Sequence, residues 1–384
     1  METFLKIDFR PIILAGGSGT RFWPRSRRAR AKQVLALDGE RTMIQHTVDR
    51  LRPLARAEDF WVITNNLLSD TICGQLESVP QQQVICEPAA RNTAPAAGLA
   101  AFLIERLAPD AVLGMFPSDH VIAGEAAFLG VIERAIELAA AGENMVVLGV
   151  VPTRAETGYG YIEVGETLDP SEQQEEKAAA NKPRRVRRFT EKPNRERAEE
   201  FVAAGNYFWN SGMFIWSART LANAVREHLP ETAPLLEQIA AAYGTPTFDG
   251  VFSELYPKCE NISVDYAILE PRSAKGEIRS HLYCLPADFG WNDLGSWAAL
   301  YGHQIENGSN VDGHANVTES TGSVTIDAHG NYVYTPKKFV ALVGVRDLVV
   351  VETEDAMLIT TREHSQDVGK VVKELVARGH NDLI

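Results

Sequence analysis

A chain of 384 residues exceeds the roughly 250–300 that one hydrophobic core serves, so one large domain and one smaller domain are expected. With 45% hydrophobic and 23% charged residues it reads as soluble and globular, and a formal net charge of −13 disfavours broad nucleic-acid binding. The four cysteines (Cys73, Cys86, Cys259 and Cys284) form no C-x-x-C pair, and no basic apolar leader or membrane-length apolar run is present; this predicts a cytoplasmic protein without zinc, disulfides or membrane contact.

Apolar runs at Ile12–Ala15, Phe60–Thr64, Gln83–Cys86, Val112–Phe116 and Val146–Val150 read as strands. Between them, apolar residues at three- and four-residue intervals predict helices over Met43–Leu51, Ala94–Leu107 and Ala126–Ala140. This alternation predicts an α/β fold with a doubly wound, mostly parallel, Rossmann-like sheet and helices on both faces. Ligands then bind beyond the carboxyl ends of the strands, where "GGSGTR", "EPAARNT" and "PSDH" follow the first, third and fourth. After Val151, segments 158–164 and 184–192 read as strands around "SEQQEEKAAANK", expected to be a solvated, mobile loop, with a helix near Arg195–Ala204. "HQIENGSNVDG" reads as a linker that divides the chain into 1–305 and a β-rich 306–384, which a helix over about Gln366–Arg378 closes.

Gly16, Gly17 and Gly19 follow the first strand at once, and Arg21 stands beside them. Glycine lets a backbone approach a ligand closely, and the arginine points to an anion. The stretch is neither a P-loop, which needs Gly-Lys-Ser/Thr, nor a dinucleotide fingerprint, because Phe22 occupies the third glycine position. What remains is a nest of N–H groups for an anion, with Arg21 as a fork and Lys32 as a point charge. Positive charge also gathers at Lys182, Arg184, Arg185, Arg187, Arg188 and Lys192, as it would around a phosphorylated ligand, though a single arginine here can equally be solvated surface. His120, an isolated histidine, reads as structural, and Trp209 and Trp216 read as core.

"LAGGSGTRFWPRSR", "EPAARNTAPA", "PSDH", "ETGYGYIE", "FTEKP", "WNSGMF", "SVDYAILE" and "DFGWNDLGSW" occur in that order. The set resembles the sugar-1-phosphate nucleotidylyltransferases, and among them the mannose-1-phosphate guanylyltransferases, from residue 9 to about 300; "VRDLVVVETEDAMLITTREHSQDVGKVV" continues it. The resemblance implies the nucleotide-diphospho-sugar transferase fold, the substrates GTP and α-D-mannose 1-phosphate, and assistance by Mg²⁺. It also implies that the tail is a short left-handed β-helix-like or β-sheet module that packs on the catalytic domain and supports a homodimer. A cupin-like isomerase domain is not expected in 306–384.

The chemistry suits these residues. A sugar phosphate is already an anionic nucleophile near neutral pH, its second pKa being about 6, so positioning and electrostatics replace an activated Ser, Cys or His. The resemblance places Leu14, Ala15, Gly16, Gly17, Gly19, Thr20 and Arg21 on the nucleotide, with Glu87, Arg91, Asn92 and Thr93 near it as well. "RNTAPA" is also a helix start that Asn92 or Thr93 caps, and both readings are compatible. Asp119 and Asp293 match the family's metal positions. Lys192 falls to the sugar phosphate, held by a strand ending at Pro193, while Gly160, Glu163, Glu191 and Asn210 are candidates for the sugar. Arg21, Lys32, Asp119, Lys192 and Asp293 form the expected catalytic set. Two departures from the common pattern stand in the loop over the triphosphate: Ala31 for proline and Arg25 for leucine. The alternatives are another nucleotide and hexose phosphate pair, or a silent sugar-nucleotide sensor.

Overall fold

The structure is a computed structural model that describes residues 7–17, 19–168, 182–308 and 310–384; "SEQQEEKAAANK", apart from Lys182, lies outside them. Ten strands of the larger part are β1 (Phe9–Leu14), β2 (Trp61–Asn65), β3 (Val84–Glu87), β4 (Val112–Pro117), β5 (Val121–Ile122), β6 (Met145–Val150), β7 (Tyr161–Thr167), β8 (Arg184–Thr190), β9 (Tyr207–Ser217) and β10 (Leu282–Ala287). All but β5 join one sheet, in the order β3-β2-β1-β4-β9-β6-β10-β8-β7.

β1 to β4 pair in parallel as the βαβ alternation requires, and β6 pairs in parallel with β10. β9 enters between β4 and β6 antiparallel to both, and β7 and β8 extend the sheet antiparallel. The sheet is therefore mixed, with its parallel half where the sequence alternates strand and helix. Burial on both faces explains the unbroken apolar runs. Ile12 packs with the helices Thr93–Leu107, Ala218–His228 and Ala233–Ala242, while its neighbour Ile13 faces Met43–Leu51 and Glu125–Ala140 on the other side.

The expected linker is largely helical. Trp297–Asn307 is a helix capped by the Ser296 hydroxyl and ended by Gly308 at φ 67, so "HQIEN" belongs to its last turns. His303 there is buried and bonds Asp38 at 2.9 Å, a tertiary contact that a polar string does not announce.

Beyond it, with β11 (Trp291–Asn292) already placed between β10 and the helix, come β12 (Val317–Ile326), β13 (Tyr332–Val343), β14 (Leu348–Glu352) and β15 (Met357–Thr361). β12, β13 and β14 stack in parallel through short connections, the habit of a β-helix, and β15 returns antiparallel. The helix Val368–Ala377 follows. Among the described residues no helix is long and apolar enough to cross a membrane.

Candidate active site

The glycine loop leaves the carboxyl end of β1 and is held by its carbonyls. Gln33 donates to the oxygens of Ala15 and Gly17, each at 2.9 Å. Thr64 donates to Ala15 at 3.1 Å and Asn65 to Gly16 at 3.3 Å. With these oxygens drawn back, the amides of Gly16 and Gly17 have no acceptor among the described residues. Gly19 sits at φ 57, and a Cβ there would lie 2.5 Å from the Lys32 amide nitrogen; only glycine fits. Thr20 and Arg21 follow in a tight turn, Thr20–Phe22.

On one side of this loop lies a pocket of about 380 Å³ lined by Leu14, Gly16, Gly17, Glu87, Arg91, Asn92 and Thr93, with Gly212 and Asp265 opposite. Asn92, at φ 65, caps the helix by accepting from the Thr93 amide at 2.8 Å, and Thr93 in turn accepts from Val264 at 2.9 Å. Arg91 is turned to the carbonyl of Pro257. Glu87 stands at the end of β3, and a Cβ on Gly16 would be 3.1 Å from its Oε2. Burial pushes the Glu87 carboxyl up to about 7, against the Tyr256 hydroxyl, which donates to it at 2.5 Å.

On the other side is a cleft of about 1180 Å³ that includes Arg21, Tyr159, Trp209, Asp293 and Gly295. Behind Asp293 is a buried ammonium: Lys32 donates to Asp119 Oδ2 at 3.0 Å and to the main-chain oxygen of Asp293 at 2.5 Å. The two aspartate loops are further joined by the short antiparallel pair β5 and β11, with Asn292 opposite Val121. Burial alone would raise the Asp119 carboxyl, but Lys32, His120 and Arg21 together hold it below its ordinary value. The Asp293 carboxylate accepts from the Tyr159 hydroxyl at 2.6 Å. A Cβ on Gly295 would meet Asp293 Oδ2 at 3.0 Å and an Arg21 guanidinium nitrogen at 3.4 Å, so arginine and carboxylate flank that glycine. His120 is fixed by the Trp291 indole at 3.1 Å, and burial lowers its pKa.

A third group lies beyond. Lys192 donates to Glu191 Oε1 at 2.6 Å, while Glu191 Oε2 is buried without a partner. Asn210 donates to Asp265 at 2.9 Å through its side chain and to the Gly160 carbonyl at 2.8 Å through its amide. A Cβ on Gly160 would strike Glu191 Oε2 at 2.5 Å. Burial and the nearby Glu191 push the Asp265 carboxyl up to about 6. β8 stops at Thr190, not at Pro193, and Lys192 lies past it at φ 44, its side chain 60% exposed. Glu163 is not brought to this group: strand alternation turns it with Tyr161 toward the helix Arg195–Ala204, and the Tyr207 hydroxyl holds it at 3.0 Å. Trp216 is fully buried; Trp209 is buried too, but its ring edge meets Tyr159 at 5.2 Å.

Tyr159, Asp265, Tyr256 and Gln33 were not singled out by sequence reasoning. Three lie inside or beside quoted motifs ("ETGYGYIE", "SVDYAILE" and the Lys-Gln after the glycine loop), which was the available signal. Tyr256 comes from a helical stretch without one.

With this geometry in hand, residues 10–307 match the Nucleotidyl transferase family, and residues 322–375 match the MannoseP isomerase/GMP-like beta-helix domain. The chain belongs to the nucleotidyl transferase family. It is 38% identical to a putative mannose-1-phosphate guanylyltransferase of Vibrio cholerae over 96% of this chain and 75% of that one. A mannose-1-phosphate guanylyltransferase of Escherichia coli is also 38% identical, over 97% and 74%. A crystal structure from Thermus thermophilus, described as a mannose-1-phosphate geranyltransferase, superposes with a TM-score of 0.80 at 30% identity, over 96% of this chain and 99% of that one.

Proposed function

We propose that the chain transfers GMP from GTP to α-D-mannose 1-phosphate. A phosphate oxygen of the sugar attacks the α-phosphorus, the bond from that phosphorus to the bridging oxygen of the β-phosphate breaks, and GDP-mannose and pyrophosphate result. In this reading residues 1–305 catalyse and 306–384 form the second domain.

The observation that carries the choice of base is Glu87 at the end of the 380 Å³ pocket. Guanine offers N1–H and N2–H donors along one edge, which the Glu87 carboxyl accepts once ionised, the state those donors favour. Uracil and thymine offer one N–H flanked by carbonyl oxygens, which a carboxylate repels. The amides of Gly16 and Gly17, without an acceptor among the described residues, and the Arg21 guanidinium suit the triphosphate as donors to its charge. Lys192 suits the sugar phosphate, and Glu191, Asn210 and the Gly160 backbone suit the hexose.

The nucleotidyl transferase family generally uses a divalent metal, and Mg²⁺ is the ion proposed here. Among the described residues no three or more His, Cys, Asp or Glu side chains gather around one point. Mg²⁺ does not need them, since it takes one or two carboxylates plus phosphate oxygens and water. Asp119 and Asp293, brought together by Lys32, would hold it, and when bound it neutralises charge on the phosphates. Lys32 keeps Asp119 ionised, and Tyr159 orients Asp293.

The test is pyrophosphate release with Mg²⁺, crossing GTP, ATP, UTP and dTTP with mannose 1-phosphate and glucose 1-phosphate. Turnover chiefly with GTP and mannose 1-phosphate, lost in Asp293→Ala, is expected. Turnover with another pair overturns the reading of Glu87. No turnover by folded, nucleotide-binding protein makes the chain a sensor.

A further inference from the structure

The loop that carries Arg21 is clamped from outside by the C-terminal strands. Phe22 and Trp23 are buried in a core that they share with Trp297, Tyr332, Val349 and Val368, so one hydrophobic cluster spans both parts of the chain. The helix Val368–Ala377 packs on the Thr20–Phe22 turn itself. Trp23, Arg25 and Arg27 then take partners from that side. The Trp23 indole donates to the Leu383 carbonyl at 2.8 Å, and the Trp297 indole donates to the Trp23 carbonyl at 3.1 Å. The Arg25 guanidinium stacks 4.0 Å from the centre of the Tyr334 ring and donates to Ala36 at 2.6 Å. Arg27 pairs with Asp355 at 2.8 Å.

Arg25 thus has a counterpart in β13. Among the described residues Tyr334 makes no side-chain hydrogen bond, and its ring face is what it offers to Arg25. A stacked arginine on an aromatic ring is directional as well as attractive, and a loop whose one face is a phosphate cradle needs its other face fixed. We infer that Arg25 and Tyr334 are positioning residues for the triphosphate loop, which makes the β-helix-like module a working part of nucleotide binding. They act through the Thr20–Phe22 turn and touch no substrate. The inference rests on the reading of that loop as the triphosphate cradle.

The test measures, on the full chain, kcat, KM for GTP, KM for mannose 1-phosphate, and the dissociation constant of inorganic tripolyphosphate by calorimetry. In Tyr334→Leu and in Arg25→Leu, KM for GTP and the tripolyphosphate constant rise about tenfold, the weight of a partly covered cation–π contact. KM for mannose 1-phosphate stays within about twofold, because Lys192 and Glu191 stand on other elements. The double variant is no worse than either single, and Tyr334→Phe, which keeps the ring face, behaves as wild type. Unchanged tripolyphosphate affinity in both leucine variants overturns the inference, and so does an equal rise for both substrates that follows a fall in melting temperature. Should the leucine variants not fold, Asp355→Asn, at a half-exposed site, tests the Arg27 clamp in the same way with an expected rise of about threefold; no rise there overturns the inference. If wild type binds neither GTP nor tripolyphosphate, the cradle reading itself falls and this inference falls with it.

Discussion

Lys32 and Asp119 tie the turn whose Gln33 holds the glycine loop to the end of β4: the ammonium, its side chain 6% exposed, lies 3.0 Å from the carboxylate and also reaches the Asp293 carbonyl. Removing the amine takes from Asp119 its hydrogen-bonded counter-charge and leaves the β5–β11 pair to join the two aspartate loops. Lys32→Met is expected to lower kcat/KM by at least about a hundredfold, the range for a displaced catalytic group. The stability cost is about 1–2 kcal/mol, less than for a sealed pair because the Asp119 side chain is 36% exposed. Steady-state kinetics and denaturant titration check both; activity within about threefold of wild type sinks the assignment.

Tyr159 is the partner of the second aspartate. Its hydroxyl orients the Asp293 carboxylate from a seat between Trp209 and Trp291, with ring centroids 5.2 Å from each. Losing such a support to a metal-holding carboxylate costs on the order of tenfold or more in metal affinity or rate. Tyr159→Phe should raise the Mg²⁺ concentration for half-activation by about tenfold while both substrate KM values hold. A Mg²⁺ curve that overlays wild type argues against the orienting role.

Most of the parallel half of the sheet was legible because burial on both faces writes plain apolar runs. "VLGMFP" and "MVVLGV" admit little else, and the helix Met43–Leu51 begins and ends where its apolar spacing does. β9 was not read as a strand, because "YFWNSGMFIWS" mixes aromatic, amide and glycine residues. There its pairing with β6 shifts register, beside Asn210, which turns to Asp265. The helix Trp297–Asn307 hid in a polar string, since its burial comes from partners such as Asp38 far away in sequence. Of the candidate site, the motifs located the loops but not which side chain faces which: Glu163 lies one strand pleat from relevance, and Asp265 sat unassigned in "SVDYAILE".

Glu87 makes the protein's stability depend on pH in an unusual direction. Its carboxyl titrates near 7 when folded against 4.5 for the free side chain, so the folded state holds the proton more tightly. Stability is then greatest below about 4.5 as far as this group is concerned, and is lost as pH rises through 7, by up to ~3 kcal/mol. Glu87→Gln should flatten that slope in urea titrations between pH 5 and 8. An identical slope in the variant would falsify the perturbed carboxyl.

Gly160 tests the hexose side alone. Alanine there places a Cβ 2.5 Å from Glu191 Oε2 and 3.3 Å from the Asn210 Cβ, crowding the groups proposed for the sugar. Gly160→Ala should raise KM for mannose 1-phosphate by about tenfold or more and leave tripolyphosphate binding as it was. The opposite pattern, with nucleotide binding impaired and the sugar unaffected, would reassign that glycine.

The two lysines of the expected catalytic set differ in one respect with a practical consequence. The Lys32 side chain is 6% exposed and engaged on two sides, whereas that of Lys192 is 60% exposed beside a carboxylate that keeps it protonated. A phosphate-bearing aldehyde would reach the exposed Lys192 and not the enclosed Lys32, and would condense faster as pH rises, because only the neutral amine reacts. If Lys192 holds the sugar phosphate as proposed, sugar phosphate and not nucleotide would shield it from such a reagent.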